Sequence, residues 1–218
     1  MAELTMTLTR PATSITEAAV PAFRRSPAGD LTAEMARGSG AGVRLREVPF
    51  LTQTALRATP GTGATDALAA VLGTALPARV GEVAGSADGR GERAVLWLAP
   101  DEFLVVGRDE AESGVATAAF AAELAAGLAE HAGQVVDVSA NRTTLELAGP
   151  HAREVLDKSC QLDLHPREFP VGRAVVTLLE SVGVILWRTG AETWRIMPRA
   201  SFSTHVVRWL LDGMREFR

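Results

Sequence analysis

The sequence predicts an α+β fold, built from internally duplicated β/α units whose mainly antiparallel sheets are covered by helices. Three observations carry this. A strand-like run, a Pro/Gly turn and an amphipathic helix occur in succession twice; a Trp-containing hairpin occurs twice further on; and a second amphipathic helix follows each hairpin.

Residues 1–42 are rich in Ala, Thr, Gly and Pro and finish in Gly38-Ser39-Gly40-Ala41-Gly42. Such a segment is expected to bury little, so it reads as a partly flexible N-terminal arm. Within it, Phe23-Arg24-Arg25-Ser26-Pro27 is the stretch with binding character, either docking on a partner or forming a solvated linker.

A single duplicated domain follows over 43–218, with halves at about 43–132 and 133–218. The first half opens with the strand-like run Leu51 to Ala58, turns at Thr59-Pro60-Gly61, and continues as a helix with Leu68, Val71, Leu72 and Ala75 on one face, ending at Leu76-Pro77. The second half repeats this with Thr143 to Ala148, the turn Gly149-Pro150, and a helix carrying Ala152, Val155 and Leu156. Spacings of i, i+3 and i+4 identify the helices.

The hairpins Val95 to Val106 and Ile185 to Ile196 come next, Trp97 preceding Glu102 as Trp187 precedes Glu192. Phe120, Leu124 and Leu128 mark the helix after the first; Val206, Val207, Leu210, Leu211, Met214 and Phe217 mark the helix after the second. Each half thus reads as two strands, a helix, a further strand, a hairpin and a helix. Trp97 and Trp187 read as hairpin core in preference to ligand platforms, because large aromatics dominate core burial.

Composition narrows the function. The 218 residues are 47% apolar, ample for a packed core, and the net charge of -4 offers no field to neutralise a phosphate backbone, so nucleic acid is not an expected partner. One cysteine cannot form an intramolecular disulfide, and the N-terminus lacks a basic start followed by an apolar run, so a cytoplasmic location is expected. No apolar run approaches the roughly 18 residues of a spanning helix, so no membrane association is expected. The cations are 21 Arg and one Lys, with no Tyr in the chain. Arg suits interface pairing, and a GC-rich genome would also enrich it.

Gly61-Thr62-Gly63-Ala64-Thr65-Asp66 resembles a dinucleotide fingerprint only superficially, because Asp66 stands at the third glycine position, where a carboxylate opposes a pyrophosphate. Thr65 or Asp66 reads as a helix N-cap. His131, His151, His165 and His205 lack the spacings that put two metal ligands on one helix face, so no metal site is expected. Asn141 reads as a turn residue between two strands.

The segment Gly149 to Pro166 holds the only cysteine and the only lysine, and its Cys160, Asp163 and His165 invite a nucleophile, carboxylate and base reading. The physical setting opposes it. Pro150 starts a helix that frays near Lys158, leaving Cys160 past a helix C-terminus with Asp157 and Asp163 nearby, where a thiol is held protonated. Cys160 is therefore expected in the core, and Asp163 to Pro166 as a turn in which Asp163 bonds the backbone and Leu162 and Leu164 anchor it. No catalytic, cofactor-binding or metal-binding residue is assigned to the chain.

Arg44 to Phe50, Leu96 to Val105, Val136-Asp137-Val138-Ser139, Leu147-Ala148-Gly149-Pro150, Cys160 to Pro166, Phe169-Pro170-Val171-Gly172 and Arg199-Ala200-Ser201-Phe202 together resemble the gamma subunit of heterotetrameric sarcosine oxidase, over about residues 25–218. The resemblance implies a structural subunit of a complex that oxidises sarcosine to glycine, passes the one-carbon unit to tetrahydrofolate and releases hydrogen peroxide. It implies alpha, beta and delta subunits as partners, with FAD, FMN and NAD held by alpha and beta and zinc by delta, and none bound by this chain. It also implies the fold of the folate-binding domain of aminomethyltransferases, itself duplicated. A stand-alone folate-binding module in one-carbon metabolism is the alternative. Lys158-Ser159-Cys160-Gln161 begins like the Lys-x-Gly-Cys-Tyr/Phe-x-Gly-Gln-Glu motif of another branch of that fold but lacks its glycines and its Gln-Glu end.

Overall fold

A computed structural model describes residues 24–218. In chain order the elements are α1 (Thr32–Gly38), β1 (Arg44–Glu47), β2 (Thr52–Ala58), α2 (Gly63–Leu72), β3 (Val83–Gly85), β4 (Arg93–Ala99), β5 (Glu102–Gly107), α3 (Glu110–Ser113), α4 (Thr117–Leu128), β6 (Gly133–Asp137), β7 (Leu145–Ala148), α5 (Ala152–Asp157), β8 (Ala174–Leu179), β9 (Val182–Gly190), β10 (Thr193–Pro198) and α6 (Ser203–Gly213). This is the expected pattern of two strands, helix, strand, hairpin and helix, run through twice.

The strands form two five-stranded sheets, one ordered β1-β7-β10-β9-β8 and the other β6-β2-β5-β4-β3, with every pairing antiparallel. The two orders match element by element. In each repeat the first strand leaves its own half: β1 pairs with β7 of the second half, and β6 pairs with β2 of the first. The halves are therefore interlocked by an exchange of edge strands.

Four layers result. Ala94, Leu96, Leu104 and Val106 of one sheet meet Ala174, Ile185, Trp187 and Met197 of the other, so the sheets pack face to face. On the outer faces, α2 and α4 bury Leu68, Phe120, Leu124 and Leu128 against the first-half sheet, while α5 and α6 bury Val155, Leu156, Val206, Val207 and Leu210 against the second-half sheet. Central strands are thus covered on both faces, which is why Ala94-Val95-Leu96-Trp97 and Val184-Ile185-Leu186-Trp187 are unbroken apolar runs. Edge strand β6 is mostly exposed, with only Val135 packed against the core beneath α4.

Residues 24–42 bury more than their composition suggests, and the expectation of an arm that buries little is corrected there. Ala28, Leu31 and Met35 are buried in the core beneath α1. The segment is also tied down by polar contacts: the Ser26 hydroxyl and the Ala28 N–H donate to the Glu47 carboxylate at 2.6 and 3.1 Å, and the Ser203 hydroxyl donates to the Pro27 carbonyl. Phe23 lies outside the described residues.

Two helix ends also differ from expectation. Thr62, in an extended conformation, takes the N-cap position of α2, and its carbonyl accepts from the Thr65 and Asp66 N–H groups, so those residues lie within the first turn instead of capping it. Gly73, with φ +67°, stops α2 before Leu76-Pro77 by adopting the left-handed conformation that non-glycine residues avoid. Gly149, with φ +134°, turns β7 into α5 where a Cβ would stand 2.6 Å from the Gly42 carbonyl oxygen.

Trp97 and Trp187 are both buried, in hairpins, but they are not equivalent positions. Trp97 faces Phe103 and Arg188 faces Trp194, while Leu96 faces Leu104 and Trp187 faces Arg195. Leu96 is thus the structural counterpart of Trp187. The matching Trp and Glu spacing misaligns the repeats by one residue, and a one-residue slip moves a side chain to the opposite face of a strand. Trp97 accordingly packs under the helices and Trp187 between the sheets.

Because Trp187 is fully buried between sheets that share exchanged strands, Trp187→Ala should lower the free energy of unfolding by about 3–5 kcal/mol while the protein still unfolds in one transition. Urea denaturation followed by far-UV circular dichroism and fluorescence of the other tryptophans checks this. Two separated transitions would contradict the interlocked architecture.

Candidate functional site

The chemistry-bearing segment after α5 is built as a helix exit. Pro150 and His151 precede the helix, Val155 and Leu156 face the core, and the Ser159 and Cys160 N–H groups both donate to the Leu156 carbonyl as the helix ends. Cys160 is buried among Leu156, Leu164, Leu179 and their neighbours and bridges to Leu179 at the free edge of β8. Asp163 Oδ1 accepts the His165 N–H at 2.8 Å, and His165 Nδ1 in turn accepts the Arg167 N–H at 3.3 Å. The carboxylate and imidazole are engaged with the backbone, as a turn requires, while the thiol lies in the hydrophobic core. Leu164 anchors the turn, but Leu162 is exposed, which corrects the expectation that both leucines do so.

Lys158 also works internally. Its ammonium donates to the Gly213 carbonyl at 2.6 Å, pairs with Glu216, and lies 4.7 Å from the centroid of the Phe217 ring, which stacks on His151. The only lysine therefore closes the C-terminal end of α6, where exposed carbonyls favour a cation. Asn141 forms the expected turn, its N–H donating to the Val138 carbonyl.

The sequence reading missed three arginines. Arg188 is buried and donates to the carbonyls of Phe169, Gly190 and Ala191 while lying over Trp194. Arg195 is buried over Trp187, donates to the Gly89 carbonyl at 3.0 Å, and sits 4.0 Å from the Glu146 carboxylate. Arg142 donates to the Met197 carbonyl at 3.0 Å. Burial pushes all three guanidinium pKa values down; Arg199 adds to this at Arg142 and Arg153 at Arg188, whereas Glu146 opposes it at Arg195. For Arg188 and Arg195 the signal in the sequence was an arginine inside an otherwise apolar strand, at Trp187-Arg188 and Trp194-Arg195; Arg142, in the crossover between β6 and β7, carries none.

The two chain crossovers between the sheets are hydrogen-bonded to one another. The Val48 N–H donates to the Thr144 carbonyl, the Gln53 side-chain amide to the Arg142 carbonyl, and the Gln53 N–H to the Ser139 hydroxyl oxygen. The Ser139 hydroxyl and N–H donate to Asp137 Oδ1 at 2.6 and 3.0 Å. Partial burial pushes the Asp137 carboxyl up, but these two donors and the Thr117 hydroxyl pull it down further, leaving it below the ordinary carboxylate range.

Among the described residues no group of three or more His, Cys, Asp or Glu side chains could hold a metal ion. No described helix is long and apolar enough to cross a membrane.

Comparison with known proteins places this architecture. Residues 60–216 match the sarcosine oxidase, gamma subunit family. The chain is 54% identical over 195 residues to sarcosine oxidase subunit gamma of Corynebacterium sp. (strain P-1), covering 89% of this chain and 91% of that one. It belongs to the sarcosine oxidase gamma subunit family. The Arthrobacter member is likewise 54% identical, over 196 residues, covering 89% of this chain and 92% of its own.

Among solved structures, a chain of heterotetrameric sarcosine oxidase from Corynebacterium sp. U-96, in complex with pyrrole 2-carboxylate, superposes with a TM-score of 0.81 at 51% identity, covering 89% of this chain and 96% of that one. The glycine cleavage system aminomethyltransferase T of Bartonella henselae has a TM-score of 0.56 at 18% identity, covering 84% of this chain and 49% of that one. This gamma-family chain therefore shares the aminomethyltransferase fold and spans about half of that enzyme.

Two outcomes follow from the geometry. Cys160→Ala should cost on the order of 1 kcal/mol of stability, the penalty of a small core deletion, measured by urea denaturation. Ser139→Ala removes the hydroxyl donor to Asp137 and leaves the backbone one; the lowered Asp137 pKa contributes stability above the unfolded value of about 4 that is lost as pH falls through the folded value. The variant should therefore be less stable than the parent at pH 7 by about 1 kcal/mol, with the Asp137 part of the difference vanishing once pH drops below the folded value. A difference that grows on acidification would overturn this account.

Proposed function

We propose that the chain is the gamma subunit of a heterotetrameric sarcosine oxidase and that its work in the complex is structural. The observation that carries this is the 54% identity to named gamma subunits across nine-tenths of the chain and of theirs. The close superposition on a chain of the heterotetrameric enzyme supports it. So does the internal use of the segment with the richest chemistry: Cys160 packs in the core, Asp163 and His165 bond the backbone, and Lys158 holds the C-terminal helix.

On this reading the partners are the alpha, beta and delta subunits, and the complex acts in the cytoplasm, oxidising sarcosine to glycine with transfer of the one-carbon unit to tetrahydrofolate and release of hydrogen peroxide. FAD, FMN and NAD belong to alpha and beta, and zinc to delta. Phe202 just before α6, Trp209 on α6, and Val176 and Leu178 on β8 are large apolar residues left exposed in the isolated chain and available to a partner.

Co-expression of the partner subunits with and without this chain provides the test. Without it, the yield of soluble complex and its thermal stability should both fall, and adding the chain should restore them without adding a chromophore. Full sarcosine oxidation at unchanged stability in its absence would remove the structural role.

A further inference from the structure

The two crossovers, residues 48–51 between β1 and β2 and 138–144 between β6 and β7, line one side of a cavity of about 290 Å³ that Arg24 and Arg25 complete. The charge inside it is unbalanced. Arg24 is taken up by Asp109 at 2.8 Å, by Glu110, the one carboxylate of the lining, at 4.0 Å, and by the Phe50 ring, over which it lies at 4.1 Å, which leaves two cations of the lining against no further carboxylate. Arg25, which is exposed, has no ion pair among the described residues, and neither does Arg142. Arg142 is a half-buried guanidinium beside a second cation, Arg199, with one carbonyl acceptor on Nη1 and the Glu102 carboxylate acting on it without a direct ion pair. A cation compensated so weakly is costly, and an anion beside it offsets the cost.

The walls are not those of a simple anion hole. Phe50, held at φ +59°, and Leu51 present apolar surface, while Gln53 and Thr144, each 1% exposed, carry side-chain oxygens with no hydrogen-bond partner among the described residues. The strained backbone at Phe50 and the unpaired Thr144 hydroxyl, a donor that an anion can use, are local costs on one cavity wall of the kind that accumulate where a fold makes a site, whereas the Gln53 oxygen, an acceptor only, offers an anion nothing.

We propose that this cavity binds a small organic carboxylate, paired with the forked guanidinium groups of Arg142 and Arg25 and packed against Phe50 and Leu51. The planar fork matches a carboxylate through two parallel hydrogen bonds. The volume lies at the lower edge of the range for ligand pockets, so the acid is smaller than a typical drug. Nothing in this depends on the subunit role proposed above.

Benzoate is the probe, titrated into the full-length chain and read by saturation-transfer NMR, with inorganic phosphate as competitor and circular dichroism as the check on folding. Saturable binding by the parent is expected, with Arg142→Met weaker by at least about tenfold. Arg25→Ala, at an exposed position that leaves folding untouched, should weaken it several-fold. The proposal is overturned by absence of benzoate binding to the folded parent, by equal binding in both variants, or by displacement with phosphate at matching concentration. Benzoate binding by the chain that disappears in the assembled complex would also overturn it, in favour of a partner's Asp or Glu side chain filling the cavity.

Discussion

Everything else in the molecule rests on the exchange of β1 and β6. A duplicated chain could have folded as two separate sheets with their own helices, joined by a linker. Here the first strand of each repeat completes the sheet of the other, so neither sheet is complete until both halves are present. The crossing segments meet in the middle and bond to each other through Val48, Gln53, Ser139 and Thr144. Face-to-face packing of the sheets, with Trp187 at its centre, follows from that registration, and the helices occupy the faces that remain.

Charge within this frame is handled by backbone. Arg188 lies on carbonyls of the β9–β10 turn and of Phe169, and Arg195 reaches across from one half to the Gly89 carbonyl of the other. A carbonyl lowers the cost of a buried guanidinium without adding a second desolvated ion, and each arginine also stacks on a tryptophan. The loop Ser86 to Gly91 is pinned over the second sheet in this way, with Trp187 Nε1 donating to the Ala87 carbonyl. The two repeats are thus joined by polar contacts as well as by exchanged strands.

Much of this was legible in the residues. Turn chemistry and apolar spacing identified the repeat and the order of its elements, because those signals are local. The exchange itself was not legible, since pairing β1 with β7 or with β2 leaves the same alternation in sequence. The Trp–Glu match was misleading for the related reason that strand register depends on turn and bulge geometry, which places irregularities at Trp97/Ala99 and Thr193/Trp194. Around Cys160 the electrostatics of a helix end sufficed to place the thiol in the core, whereas Leu162 and the burial beneath α1 depend on neighbours distant in sequence. The cavity at the crossovers was illegible for the same cause, as its arginines come from two segments more than a hundred residues apart.

The position of Lys158 has a practical corollary for anyone mapping the surroundings of this chain. With 21 arginines and one lysine, amine-directed cross-linkers and acylating reagents have a single side chain to address, and that side chain is already engaged with Gly213 and Glu216. Acylating it would release the tail around Phe217 before it reported any neighbour. Proximity chemistry aimed at carboxylates or at guanidinium groups would instead see nearly the whole surface, with the fold undisturbed.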